Sequence, residues 1–131
     1  MRLGDVHVRL SELPQARERY EAALPLYRAI GDRLGEANCI MSLGDVHRDL
    51  SELPQARERY EAALPIFRQI QEVMGQMNCL MGLARLSTEQ EDTEAACKYY
   101  EQLFAVLDRL DFLQNHPVTQ RLRRERADLC S

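Results

Sequence analysis

The chain has 131 residues, 45% of them hydrophobic and 29% charged, with a formal net charge of -4. That much apolar material excludes a disordered chain, and interleaved charges of both signs exclude a field built to capture nucleic acid or an anionic membrane. No apolar run approaches the roughly eighteen residues of a membrane span, and the N-terminus lacks the charged start, apolar centre and small-residue cleavage site of a signal peptide.

From the N-terminus, Leu3–Leu10 reads as a first helix. By the period described below, Met1 falls on Met41, so this helix lacks the opening turn that Ala37–Ile40 provide in the next copy. That gap predicts either a piece of a longer array or an N-terminal edge covered by a second copy of the chain. Ser11-Glu12-Leu13-Pro14 follows, the counterpart of Ser51-Glu52-Leu53-Pro54, which lies between the two helices of the next copy with proline suited to the first turn of the second helix because its missing N–H needs no partner there. The second helix reaches Ile30 through Pro25, where the apolar period continues and a kink is expected rather than a break. Gly31 and Gly35 read as helix stops, as does Gly75 in the next copy.

The pattern then repeats. Shifted by 40 positions, Leu3–Ile30 falls on Leu43–Ile70 with 23 identities in 28 places, and LSELPQARERYEAALP occurs at both Leu10–Pro25 and Leu50–Pro65. In the second copy Cys39, Leu43, Val46, His47 and Leu50 recur at helical steps, and so do Ala56, Tyr60, Ala63, Leu64, Phe67 and Ile70, giving two amphipathic helices per period. A third, more diverged copy places Leu83, Ala96, Tyr100, Glu101 and Leu110 on Leu43, Ala56, Tyr60, Glu61 and Ile70. A fixed period of this length signals a solenoid whose units bury their apolar faces by stacking on neighbours. After Leu110 the repeat fades. Asn115-His116-Pro117 marks a helix start, and Val118–Leu129 carries a thin apolar stripe expected to cover the exposed face of the third copy.

Leu43-Gly44, Ala56, Tyr60 and Ala63, matched by Leu3-Gly4, Ala16, Tyr20 and Ala23, resemble the tetratricopeptide pattern. The third copy departs from it at Ala84 and Leu103. The 40-residue unit, with segments such as Asp32–Ala37 and Ser42-Leu43-Gly44, is similar to the long-helix repeats of Pins/LGN-type adaptors. The resemblance implies an all-α, right-handed superhelical solenoid of antiparallel helix pairs. It implies an array over 1–111, with repeats at about 1–33, 34–73 and 74–111, and a capping helix and tail over 112–131. It also implies that the first helix of each repeat lines a concave groove. The groove positions carried over are Asp5, Val8 and Arg9; Asn38, Met41, Asp45, Arg48 and Asp49; and Asn78, Met81, Arg85, Thr88 and Glu89.

The expected function is a protein–protein interaction scaffold holding a peptide or partner protein in that groove. The alternative is a self-assembly module forming homo-oligomers through its exposed repeat edge. The sequence has no HExxH, GxSxG, GxxxxGK or GxGxxG, so neither an enzyme nor a bound cofactor is expected. Cys39, Cys79, Cys97 and Cys130 are too scattered for a metal knuckle or a CxxC pair and are expected to be reduced packing thiols in a cytoplasmic protein. His7 and His47, at equivalent positions, read as packing histidines, and Glu18 and Glu21 with Arg17, like Glu58 and Glu61 with Arg57, as a solvated face. Arg121, Arg123, Arg124 and Arg126 form one basic cluster without interleaved aromatics, which argues against a nucleic-acid tail.

Overall fold

In the computed structural model the backbone is described for residues 3–110 and 116–130, and side chains from Glu12 onward within those ranges. Six helices run in order: α1 Leu3–Ile30, α2 Arg33–Asp49, α3 Leu53–Gln69, α4 Val73–Glu89, α5 Thr93–Leu107 and α6 Pro117–Cys130. No strand occurs among the described residues. Each helix packs on the next, and α2 also touches α4, so the first-type helices α2 and α4 stand side by side on one layer.

The turns obey a finer rule than the 40-residue repeat. Gly31, Ser51, Gln71 and Glu91, spaced twenty apart, all have positive φ (73°, 61°, 57° and 60°). The following residue donates its N–H back across the helix end: Asp32 to the carbonyl of Tyr27, Glu52 to His47, Glu72 to Phe67 and Asp92 to Ser87, at 2.8–3.0 Å. These bonds satisfy carbonyls that the helix would leave orphaned. That same residue, always acidic, is the N-cap of the next helix. The Asp32 and Asp92 carboxylates accept from the N–H groups of Gly35 and Ala95, and Glu72 from that of Met74. Three successive helices therefore have 17 residues each.

Glycine has two jobs here, and only one was foreseen. Gly31 stops α1 with its positive φ, but Gly35 and Gly75 lie inside the first turns of α2 and α4 rather than ending a helix. A Cβ at Gly75 would overlap the Phe67 ring, and one at Gly35 the Tyr27 ring, so these glycines admit an aromatic side chain from the preceding helix. Gly44 and Gly82 do the same for Tyr60: a Cβ on either would lie 3.0 Å from opposite edges of its ring. Tyr60 is thus pressed between α2 and α4, fully buried, as the repeat pattern requires.

The first copy departs from the expected helix pair. Leu3–Ile30 is one helix of 28 residues that runs through both Pro14 and Pro25, with no turn at Ser11–Pro14. The same five residues stand at Leu10–Pro14 and Leu50–Pro54, yet Leu10–Glu12 are helix while Leu50–Glu52 form the turn that precedes α3. The straight form loses the bond from residue 14 to the carbonyl of Leu10 and crowds that turn, a cost of about 3 kcal/mol or more. The bent form puts a serine at positive φ, roughly 1–2 kcal/mol. In the second copy the neighbours hold the bend: Glu52 lies 3.0 Å from buried His47 Nδ1 and 3.6 Å from Arg17 of α1. Local preference alone is too small to decide the form.

The cysteine expectation holds for two residues and fails for two. Cys39 and Cys79 are free and buried, but Cys97 and Cys130 form a disulfide. The scatter of these two in sequence conceals their meeting, because α6 folds back along α5. Disulfides persist where the surroundings are oxidising, so reduced thiols no longer argue for a cytoplasmic setting. No described helix is long and apolar enough to cross a membrane.

The arginine cluster helps dock α6. Arg123 bonds Asp108 at 3.0 Å and lies over the Phe104 ring at 4.9 Å, while Arg126 sits 3.7 Å from Glu101 and 5.7 Å from the same ring. Arg121 lies 3.9 Å from Glu125, and Leu122 and Thr119 are buried.

Candidate peptide-binding groove

The groove positions sit on α2 and α4 because the apolar stripe of each helix faces the other way. On α2, Ala37, Cys39, Ile40, Leu43 and Val46 are buried, which turns Asn38, Met41, Asp45, Arg48 and Asp49 toward the surface. Asn38 and Asp49 are exposed; Met41, Asp45 and Arg48 are half-buried. On α4, Cys79, Leu80, Leu83 and Leu86 are buried, Asn78, Thr88 and Glu89 are exposed, and Met81 and Arg85 are half-buried. The side chains of Asp5, Val8 and Arg9 lie outside the described residues.

Several of these groups already have partners. Asp45 accepts a short hydrogen bond from the Tyr60 hydroxyl and has Arg48 at 3.9 Å. Burial, reinforced by Asp45, pushes the Tyr60 hydroxyl well above its ordinary pKa. Burial, then Asp45, pushes the Cys79 thiol up to about 12, so it is an inert packing group. Thr88 donates to the carbonyl of Ala84 at 2.9 Å. Asp45 is therefore tied to the core through Tyr60 and Thr88 to its own helix, while Asn38, Asp49, Asn78 and Glu89 are exposed.

The row does not face one uniform trough. Asn38 opens on a cleft of about 300 Å³ between α1 and α2. Asn78 and Met81 line an apolar cleft of about 220 Å³ with Met74, Met77, Leu103 and Leu122. Arg85, Thr88 and Glu89 border a larger one of about 480 Å³ with Tyr100, Glu125 and Asp128. In both of these α6 supplies the far wall, standing to α4 and α5 as α4 stands to α2 and α3. Tyr100 donates to Glu125 at 3.1 Å, and its pKa is raised by burial first and by that carboxylate second. The α6 contributions were missed because the repeat motif fades after Leu110. Their signal was positional, since a helix following α5 must be the next first-type helix.

The outer face is a separate charge network. Arg57 contacts Glu61 at 3.2 Å and Asp92 at 3.4 Å, and Tyr99 donates to Glu61 at 2.9 Å. Burial opposes the Arg57 charge, but bonds to Glu61, Tyr99 and Asp92 outweigh it and hold the guanidinium pKa up. Such half-exposed pairs tie neighbouring repeats together and contribute little individually.

Antiparallel helix pairs stacked through aromatic-over-glycine contacts, with a polar row on the first helices, define an α-helical repeat scaffold. The tetratricopeptide repeat family profile matches residues 1–69, more than half of the 131, and the chain belongs to that family. Repeats of this family mediate protein–protein interaction, and the family is a non-enzymatic one. A comparison with curated proteins finds no match.

Proposed function

We propose that the chain is an interaction scaffold that holds an extended peptide segment of a partner protein across the first-type helices α2 and α4. The observation that carries this is the recurrence, one repeat apart, of exposed Asn38 and Asn78 beside half-buried Met41 and Met81. Asparagine can accept from a ligand N–H and donate to its C=O together, and methionine adapts to varied apolar side chains. Packed helices stand about 8–10 Å apart, close to three residues of extended chain, so the two asparagines suit backbone groups about three residues apart on one ligand. Toward the other end, Arg48 and Arg85 offer guanidinium groups to a ligand carboxylate and Asp49 and Glu89 offer acceptors to a basic residue. The 40-residue unit with 17-residue helices further supports a likeness to the long-helix adaptor subtype.

Displayed peptide libraries panned against the chain would supply a ligand. Asn38→Ala with Asn78→Ala is then expected to weaken it about tenfold or more, each lost bond contributing roughly 1 kcal/mol, with no change in melting temperature. Unchanged affinity for a peptide that binds the intact chain would remove this face from consideration.

A further inference from the structure

The open cleft between α1 and α2 has a counterpart one repeat later that is filled. At the counterpart, α2 lays Gly44 against Tyr60 and Asp45 on its hydroxyl, close enough to Cys79 to raise its pKa. Shifted back by one repeat, the same wall is Tyr20, Ala23, Tyr27, Gly35, Cys39 and Ser42, and these residues line the 300 Å³ cleft. Where Ala56, Tyr60 and Ala63 are buried completely, Ala16, Tyr20 and Ala23 are only half-buried. The occupant of the filled site is Leu43-Gly44-Asp45-Val46-His47, and the chain carries that five-residue sequence a second time at Leu3–His7. It is not in the cleft. As part of straight α1, Gly4 lies sixteen residues from Tyr20, about 24 Å along the axis at 1.5 Å per residue.

We propose that the cleft receives this segment from a second copy of the chain, so that two chains exchange their N-terminal arms Leu3–Leu10. Pairing Gly4 of each copy with Tyr20 of the other, antiparallel as Gly44 pairs with Tyr60, places residue 12 of both at the midpoint. Such a pairing is isologous about a two-fold axis at Glu12 and closes as a dimer with both clefts filled. The hinge is Leu10–Pro14, the sequence seen both bent and straight. Bent, the arm returns to its own α1; straight, it can reach only a neighbour. The straight form is the locally less favourable one, and packing on the second copy is what holds it. The cleft shares Asn38 with the proposed peptide groove, but the arm and its hinge, Leu3–Pro14, lie outside that groove, so variants in them test the dimer without altering Asn78 or Met81.

Light scattering of the full chain and its variants over a concentration series tests it. The expected mass approaches twice 15.2 kDa as concentration rises. Pro14→Ala, which relieves the straight hinge, is expected to lower the dimer dissociation constant at least tenfold. Ser11→Gly, which eases positive φ in the bent hinge, is expected to raise it by roughly tenfold. Val6→Glu, whose counterpart Val46 is buried, should abolish the dimer, whereas Leu26→Lys with Ile30→Lys, on exposed positions beyond the arm's reach, should leave it intact. A monomer at every concentration, for both the native chain and Pro14→Ala, overturns the proposal. So does a dimer that ignores Val6→Glu but is lost in Leu26→Lys with Ile30→Lys, because that dimer would be an edge-to-edge stack.

Discussion

Gly75→Ala and Gly35→Ala make the same chemical change at equivalent positions, yet they are expected to differ sharply. Each glycine occupies the third position of its helix, where alanine would ordinarily gain about 1 kcal/mol of helix propensity. At Gly75 the added Cβ would overlap Cγ, Cδ1 and Cε1 of Phe67, a ring with no exposed surface. Because Cγ is the root of the ring, rotation about the last torsion does not relieve the overlap, and the ring or the whole of α4 must move. Overpacking of this kind costs about 1–3 kcal/mol; at the upper end of that range the net loss is about 2 kcal/mol. At Gly35 the overlap is with the Tyr27 ring edge and the Asp32 carboxylate. Tyr27 is only half-buried and borders the open cleft, so it can swing aside, and the net change should stay within about 1 kcal/mol of zero. Urea unfolding followed by circular dichroism measures both. Adding Phe67→Leu to Gly75→Ala should restore part of the loss, a non-additivity of about 1 kcal/mol or more. Equal effects at the two glycines, or a stabilised Gly75→Ala, would refute the aromatic-over-glycine account of repeat spacing.

Tyr60→Phe keeps the wedge between Gly44 and Gly82 but loses the bond to Asp45, so chemical unfolding should report a loss of about 1.5–3 kcal/mol; Tyr60→Ala should cost about 3–5 kcal/mol. Alkaline pH should destabilise the fold with a definite sign. The Cys79 thiol has an ordinary value of 9.0 and is held near 12 in the folded chain, so above pH 9 the unfolded state releases a proton that the folded state retains. Stability then falls as pH rises, by about 1.4 kcal/mol per pH unit from this group, and Tyr60 adds to the slope above its ordinary 10.0. Melting temperatures across that window should fall less steeply for Cys79→Ala than for the native chain, and parallel curves would count against burial as the cause. Reducing Cys97–Cys130, which closes a loop of separation 33, should cost about 2–4 kcal/mol, with amide exchange rising first in α6. Exchange that rises uniformly would mean that α6 is held by its arginine and Leu122 contacts alone.

The helical repeat was legible because two periods coincide in the sequence: apolar residues at helical steps, and whole motifs at 40. The twenty-residue turn register was written just as plainly, in the acids Asp32, Glu52, Glu72 and Asp92, but only one of the four turns carries glycine at the positive-φ position. A reading keyed to glycine and proline therefore finds the stop at Gly31 and the junction at Ser51–Pro54, but misses the turns at Gln71 and Glu91 and misassigns Gly35 and Gly75. What those two glycines serve is space for a ring on another helix, and tertiary proximity leaves no local mark. The disulfide was hidden for the same reason. Cys97 and Cys130 become neighbours only once α6 lies along α5.

The candidate groove was legible as positions and not as surroundings. Helical spacing suffices to turn Asn38, Met41, Asn78 and Met81 away from the buried stripe, but the wall that faces them on α6 belongs to a helix whose sequence no longer follows the motif. The first copy shows the limit most sharply. Leu10–Pro14 and Leu50–Pro54 are the same residues, yet Leu10–Glu12 are helix while Leu50–Glu52 form a turn before α3. No function of the local sequence can return two answers for one input, so the difference must come from contacts. His47 and Arg17 reach Glu52 to hold the bend, whereas at Glu12 the chain continues as the helix α1. A repeat that is nearly identical to its neighbour can thus adopt a different shape because of what stacks on it, which is the sense in which a solenoid's units depend on one another.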